Sequence, residues 1–342
     1  MEDITAVPAY TEDTIKKRGI PGSTLKLIAI FVMLIDHVAA TILEQTLISN
    51  GYFNYNTVAS TDTSNIRLYF IYFVMRMIGR LGFPLFCFLL VEGFVHTRNK
   101  GKYAIRLALF ALISEIPFDL AFQGKIFYFG YQNVFFTLFI GFLVMWGFQF
   151  FAERLKEKRW FPVISIIGVI GAGWIAFQVL QNSMYTINSI VTGFNGTGLP
   201  LIFTSMDDKV MIGVIAIVAV IFLVLYLMFR SNGERIGIFL ADCAVLAVGM
   251  VLANLLVTDY SAFGVLTIAV MYALRRQHLS AGIGGYITLN IMSLSELTAA
   301  FALIPIGLYN GERGLRLKYV FYAFYPVHLF ILYLICKVMN LI

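Results

Sequence analysis

The sequence predicts an all-α, polytopic transmembrane bundle of about ten or eleven spans, and three observations lead there. Of 342 residues, 60% are hydrophobic and only 13% are charged, with a mean hydropathy of +0.84. A water-facing surface needs about 25% charged residues, so most of this surface has to face lipid. Apolar runs of about 20 residues recur along the whole chain, each long enough at 1.5 Å per residue to cross a hydrocarbon core of about 30 Å. Basic residues fall in alternate connections, as in a chain threaded back and forth through a bilayer.

Residues 1–20 are polar, with Glu2, Asp3, Glu12 and Asp13 ahead of Lys16, Lys17 and Arg18. They read as part of a cytoplasmic N-terminal segment, residues 1–23, with no cleavable signal peptide. A single integral membrane domain over 24–342 follows. Its apolar spans fall at about 24–48, 68–95, 103–122, 133–151, 161–180, 210–229, 236–257 and 260–274. A Gly-rich stretch at about 281–309 precedes a last span at about 319–340.

Orientation follows from the basic residues. Lys16–Arg18 place the N-terminus in the cytoplasm of a multi-pass plasma-membrane protein. Arg98/Lys100/Lys102, Arg154/Lys156/Lys158/Arg159, Arg230/Arg235 and Arg275/Arg276 agree, all on the inner side. The connections at about 49–66 and 181–208 are nearly free of Lys and Arg and rich in Asn, Ser, Thr and Gly, so they are expected outside. Arg313, Arg316 and Lys318 form a further basic connection, which requires 281–309 to enter and return on one side. That stretch is short for two crossings. A re-entrant pair of half-helices broken near Leu294–Glu296 fits it, because irregular backbone is tolerated at membrane depth where protein or water surrounds it.

The three cysteines, Cys87, Cys243 and Cys336, lie in apolar runs without CxxC or Cys/His spacing, so neither a disulfide framework nor a metal site is expected. The net charge of +6 sits largely in short connections, where topology accounts for it, and nucleic-acid binding is not supported.

Charged groups near the bilayer centre cost several kcal/mol each unless paired or hydrated. This chain nevertheless carries Asp36 and His37 halfway along its first span and Arg76 and Arg80 one turn apart in its second, which ends with Glu92. Arg106 opens the third span, where Glu115 and Asp119 lie four residues apart on one face. His328 follows Tyr325–Pro326 in the last span. A His beside an Asp can be held in one tautomer and act as a general base. Adjacent helical residues point about 100° apart, so a pairing of Asp36 with Arg80 or Arg76 is equally open. Glu115 and Asp119, flanking Pro117, suit a second acid/base, an amine-binding pair, or a neutralising partner for Arg80 or Arg106. Arg98, Lys100, Lys102 and Arg106 suit phosphate at a helix N-terminus, although topology alone explains three of the four.

The runs LKLIAIFVMLIDH (Leu25–His37), GRLGFPLFCFLLVEGFVHTRN (Gly79–Asn99), RLALFALISEIPFDL (Arg106–Leu120) and NVFFTLFIGF (Asn133–Phe142) resemble the TraX family. So do YNGERG (Tyr309–Gly314) and KYVFYAFYPVHL (Lys318–Leu329). The resemblance covers most of the chain in order and is weakest across about 150–255. It implies membrane acetyltransfer with acetyl-CoA as donor, after a conjugation-system protein that acetylates the N-terminus of F pilin, and kinship with multispan acyltransferases of sugars and cell-surface polymers. Carried over residue by residue, it implies His37 as base, Arg80 or Arg106 near the donor, and Glu115 and Asp119 in the site; Asp36 joins the catalytic candidates as the acid beside His37. Arg76, Glu92, Asn133, Tyr325 and His328 are substrate-binding or structural candidates.

The function expected is therefore an acyltransferase that moves an acyl group from cytoplasmic acyl-CoA, bound near Arg98, Lys102 and Arg106, to an amine or hydroxyl. The acceptor, whether peptide, glycan or lipid, is not encoded in any motif. Direct attack and an acyl-histidine intermediate are both compatible with the residues. A proton-coupled secondary transporter is the competing class, since it too needs intramembrane Asp, Glu and His with broken helices. A scaffold for a secretion or conjugation assembly needs no convergent charges.

Overall fold

The computed structural model describes residues 19–52, 63–154, 161–195, 208–228, 233–315 and 318–342. Lys16, Lys17, Arg18, Lys156, Lys158, Arg159, Arg230 and Arg316, which carry part of the expected topology, lie outside them. Most of the expected N-terminal segment and residues 53–62 and 196–207 of the two outer connections do too.

Among the described residues the chain is helical throughout, with two isolated bridges. The order is α1 (Gly22–Val38), a π turn (Ala39–Leu43), α2 (Glu44–Ser49), α3 (Thr63–Gly79), α4 (Gly82–His96), α5 (Lys100–Gln123) and α6 (Val134–Arg154). Then come α7 (Phe161–Asn195), α8 (Asp208–Met228), α9 (Gly233–Leu255), α10 (Ser261–Ala273) and α11 (His278–Met292). A 3-10 segment (Leu294–Ala302), α12 (Leu303–Gly307) and α13 (Lys318–Val338) complete the chain.

Among the described residues, six helical stretches are long and apolar enough to cross a membrane: Gly22–Ser49, Thr63–His96, Val134–Glu153, Val163–Thr192, Glu234–Leu255 and Val320–Val338. That is fewer than the ten or eleven spans read from sequence, for local reasons. Helix α5 has the length, 24 residues, but carries Lys100, Lys102, Arg106, Glu115 and Asp119. Helix α10 has only 13 residues and α11 only 15. Large apolar side chains such as Phe31, Phe70 and Leu227 are about two-thirds exposed, as a lipid-facing surface requires. Inside, one apolar core links α1, α4, α5, α6 and α13, and a second links α6, α9 and α10. Cys87 and Cys336 are buried and all three cysteines are free thiols.

Residues 181–195, expected as outer connection, continue α7 instead. Most of the polar side chains with a bond there are satisfied within the helix: Asn182, Ser183, Ser189 and Thr192 each donate to the carbonyl four residues back, while Thr186 donates to the Ile291 carbonyl of α11. Back-bonding of this kind lets an Asn/Ser/Thr-rich stretch stay helical.

Two breaks position the polar interior. Helices α3 and α4 form one span interrupted at Arg80–Leu81, and α3 ends at Gly79, packed against the Asp36 side chain so closely that a Cβ there would collide with it. The second break is the hairpin of α11, the 3-10 segment and α12. Helix α11 rises about 22 Å at 1.5 Å per residue, short of a core of about 30 Å. The backbone turns extended at Ser293 and returns. Both ends lie together, with the His278 and Tyr309 rings 5.0 Å apart. The hairpin enters and leaves on the face that carries Arg98, Arg275 and Arg313, here termed the basic end.

Candidate functional site

His37 sits on the last turn of α1, directly before the π turn, and the Thr41 hydroxyl donates to the His37 carbonyl at 2.6 Å. Insertions of this type re-aim side chains and recur at functional sites. The partner of His37 is not its neighbour Asp36 but His328 of α13, with Nδ1 and Nε2 2.6 Å apart. The other ring nitrogen of His328, Nδ1, lies 2.7 Å from the Phe324 carbonyl. A carbonyl oxygen only accepts, so Nδ1 of His328 carries the proton and its Nε2, in the neutral ring, has a lone pair. That lone pair accepts from Nδ1–H of His37, which leaves Nε2 of His37 unprotonated and available as a base. Phe122 and Tyr325 pack edge-on to the His37 ring at 5.6 and 5.7 Å. The Tyr325 hydroxyl is fixed in turn by the Val134 backbone N–H.

A layer of ion pairs surrounds this relay. Arg76 holds Asp36 at 2.8 Å, and Arg80 holds Glu296 of the 3-10 segment at 2.9 Å. Arg80 also bonds the Tyr260 hydroxyl. Glu296 is fully buried, so the Arg80 partner is what makes its charge tolerable there. Asp259, in the connection between α9 and α10, accepts from the Tyr131 hydroxyl at 2.6 Å. That connection carries left-handed backbone at Val257, Tyr260 and Ser261, which is uncommon for residues with a Cβ and costly for β-branched valine. It is held there by paired backbone bonds between Gln132 and both Val257 and Asp259.

Two cavities flank the layer. The larger, about 860 Å³, has a rim at the basic end bearing Lys26, Arg98, Arg106 and Arg313 and reaches inward to Met33, Phe135 and Tyr325. The Tyr322 hydroxyl bridges Arg106 and Tyr103 on its wall. At its mouth, burial beside Glu92 pushes the Tyr309 phenol up to about 12, so Tyr309 stays protonated and donates to Glu92. The second cavity, about 470 Å³, lies on the other side of the layer and is lined by Arg80, Asp259, Tyr260 and Glu296 among others.

The structure thus joins His37, His328 and Tyr325 at one point, with Asp36 and Arg76 paired beside them. Arg98, Arg106 and Glu92 line the large cavity, whereas Lys102 is exposed and does not. Arg80 lines the smaller cavity rather than the larger. Glu115 bonds neither Arg80 nor Arg106. It accepts from the backbone and side chain of Asn133, whose Oδ1 caps α6 by accepting from the Phe135 N–H. Asp119 accepts from the Tyr128 N–H at 2.7 Å and so anchors the α5–α6 connection, where Gly124 takes the left-handed conformation that ends α5. Four polar residues of the interior, Tyr131, Asp259, Tyr260 and Glu296, were not among the sequence candidates. Tyr131 and Asp259 sit in connections, Tyr260 opens the expected 260–274 run as an uncharged residue, and Glu296 marked only the expected break, so the cost of charge inside a span did not single them out.

A chain whose described residues are all-helical, with several membrane-length apolar helices around a buried polar interior, is a multi-pass membrane protein. It belongs to the TraX family: the family model described as TraX protein matches residues 21–195 and 200–336. A curated relative is "Probable fimbrial assembly protein FimC, serogroup H1" of Dichelobacter nodosus, 35% identical over 128 residues, which is 35% of this chain and 43% of the relative. The match therefore spans less than half the length of that relative. No solved structure matches the chain.

Proposed function

We propose that this protein is a membrane acyltransferase that takes an acyl group, acetyl in the simplest case, from cytoplasmic acyl-CoA. The observation that carries the reading is the His37–His328 relay standing behind Tyr325, at the inner end of a cavity with a basic rim. The cavity is within the range of small-molecule sites, about 300–1,000 Å³. Its rim suits the phosphates of CoA: Arg98 and Arg106 supply forked donors and Lys26 and Arg313 further positive charge. The basic end faces the cytoplasm by the positive-inside rule, where acyl-CoA is available. The apolar and aromatic walls then guide the thioester toward Met33 and Phe135.

His37 Nε2 takes the proton of the acceptor as it attacks the thioester carbonyl, and His328 holds the ring in the required tautomer while sharing the developing charge. Asp36, Arg76, Arg80 and Glu296 fix the helices around the histidines, each of the two carboxylates set against a guanidinium. Membership of the TraX family, named after a conjugation-system protein that acetylates F pilin, and the fimbrial-assembly name of the relative point to a surface appendage as one destination of the acyl group.

A carrier remains the competing class because a polar layer between two cavities is also the geometry of alternating access. Purified protein in detergent, given acetyl-CoA, separates the two. Acyltransfer predicts saturable binding of acetyl-CoA and slow release of CoA thiol. Solute counterflow in proteoliposomes with no dependence on CoA would instead establish a carrier and end the acyltransferase reading.

A further inference from the structure

We infer that Tyr325 binds the thioester of the donor, its hydroxyl donating to the carbonyl oxygen and holding the oxyanion that forms there on attack; this rests on the acyltransferase reading above. His37 lines neither cavity, whereas Tyr325 packs against the His37 ring at 5.7 Å and lines the larger one. Tyr322, bonded to Arg106 and Tyr103, stands three residues earlier on α13, nearer the basic end. Further in, the cavity is walled by the apolar side chains of Met33, Val134 and Phe135, and the Tyr325 hydroxyl is the polar group among them.

The surroundings of this hydroxyl favour negative charge. Tyr325 is 3% exposed, and its ring is held edge-on by Phe135 at 5.1 Å and His328 at 5.7 Å, which fixes where the hydroxyl stands. The oxygen accepts from the N–H of Val134, the first residue of α6, and so lies at the positive end of a 21-residue helix. Accepting that bond polarises the O–H and makes it a stronger donor. Among the described residues the hydroxyl proton has no acceptor. A donor on so buried a side chain needs one, and a carbonyl oxygen entering from the cavity supplies it.

In the transfer the acceptor heteroatom attacks the thioester carbonyl carbon, and the C=O electron pair moves onto oxygen, where the Tyr325 O–H and the α6 N-terminus hold it. The pair then returns to carbon as the C–S bond breaks. The acceptor proton passes to the base proposed above and on to the departing CoA thiolate, giving acylated acceptor and free thiol. Tyr325 keeps its own proton throughout.

The test uses the full chain in detergent with acetyl-CoA carrying a carbon-13 carbonyl. Isotope-edited infrared spectroscopy reads the carbonyl stretch of the bound donor, and release of CoA thiol reads turnover. Tyr325→Phe keeps the ring and its packing. It is expected to move the bound carbonyl band to higher wavenumber and to lower kcat about 10²- to 10³-fold, as for loss of one oxyanion donor, with the KM for acetyl-CoA little changed. Val134→Pro removes the N–H behind the hydroxyl at a first helical position, where proline is tolerated. It is expected to move the band the same way by less, and it keeps the test valid where Tyr325→Phe fails to fold. No binding of acetyl-CoA by the unaltered protein would overturn the donor-site reading and this inference with it. Binding and turnover with a carbonyl band that neither variant moves would overturn the inference and leave that reading standing.

Discussion

His37 and His328, 291 positions apart in sequence, are joined by a hydrogen bond of 2.6 Å between α1 and α13. The bond fixes the tautomer of both rings, because the far side of His328 is committed to the Phe324 carbonyl. It makes the first and last helices of the bundle partners in one polar site. Replacing His328 with Ala removes the orienting partner but leaves His37. Acetyl transfer is expected to fall about 10- to 100-fold in kcat, part of the roughly 10²- to 10⁴-fold that a positioned general base contributes, with the KM for acetyl-CoA little changed. An unchanged kcat would show that the relay has no part in transfer.

The Arg80–Glu296 pair predicts a stability effect. Arg80→Ala strands a buried carboxylate and is expected to destabilise by about 3–5 kcal/mol. The double variant Arg80→Ala/Glu296→Ala should recover part of that loss, because no unpaired charge remains. Thermal unfolding in detergent reads the difference, and strictly additive losses would show that the pair is not coupled.

At the basic rim, Arg98→Ala and Arg106→Ala are each expected to raise the KM for acetyl-CoA about tenfold with little change in kcat, consistent with loss of one charge-assisted phosphate contact. Lys102→Ala is expected to be neutral, since its side chain is exposed and outside the cavity. A titration of CoA binding to each variant checks the order.

The hairpin makes a topological prediction. With Cys87, Cys243 and Cys336 replaced, Arg276→Cys and Arg313→Cys should both be labelled by an impermeant maleimide from the cytoplasmic side. Lys125→Cys should be labelled from the other side only. Opposite labelling of positions 276 and 313 would mean that 278–309 crosses the membrane an odd number of times.

Much of this was legible in the sequence because lipid imposes so few solutions. Low charge and recurrent apolar runs specified a helical membrane bundle, and the basic connections required the stretch before Arg313 to enter and return. The break falls at Ser293, next to the expected Leu294–Glu296. What stayed hidden was pairing. Asp36 and His37 are neighbours in sequence yet point to different partners, Arg76 and His328, because adjacent helical positions diverge by about 100°. For Asn133 the sequence left substrate binding and structure both open, and its bonds, as the cap of α6 and the clasp on Glu115, are structural ones. Asp259 escaped notice because a connection normally lies in water, whereas this one is folded into the interior on left-handed backbone.

The most direct test of the account is release of CoA thiol from acetyl-CoA by purified His37→Ala, measured beside the unaltered protein and with thermal unfolding as the control for folding. The account predicts a loss of about 10²- to 10⁴-fold, the usual contribution of a general base, at an unfolding temperature within a few degrees of the parent. Full turnover in a folded His37→Ala protein would contradict it.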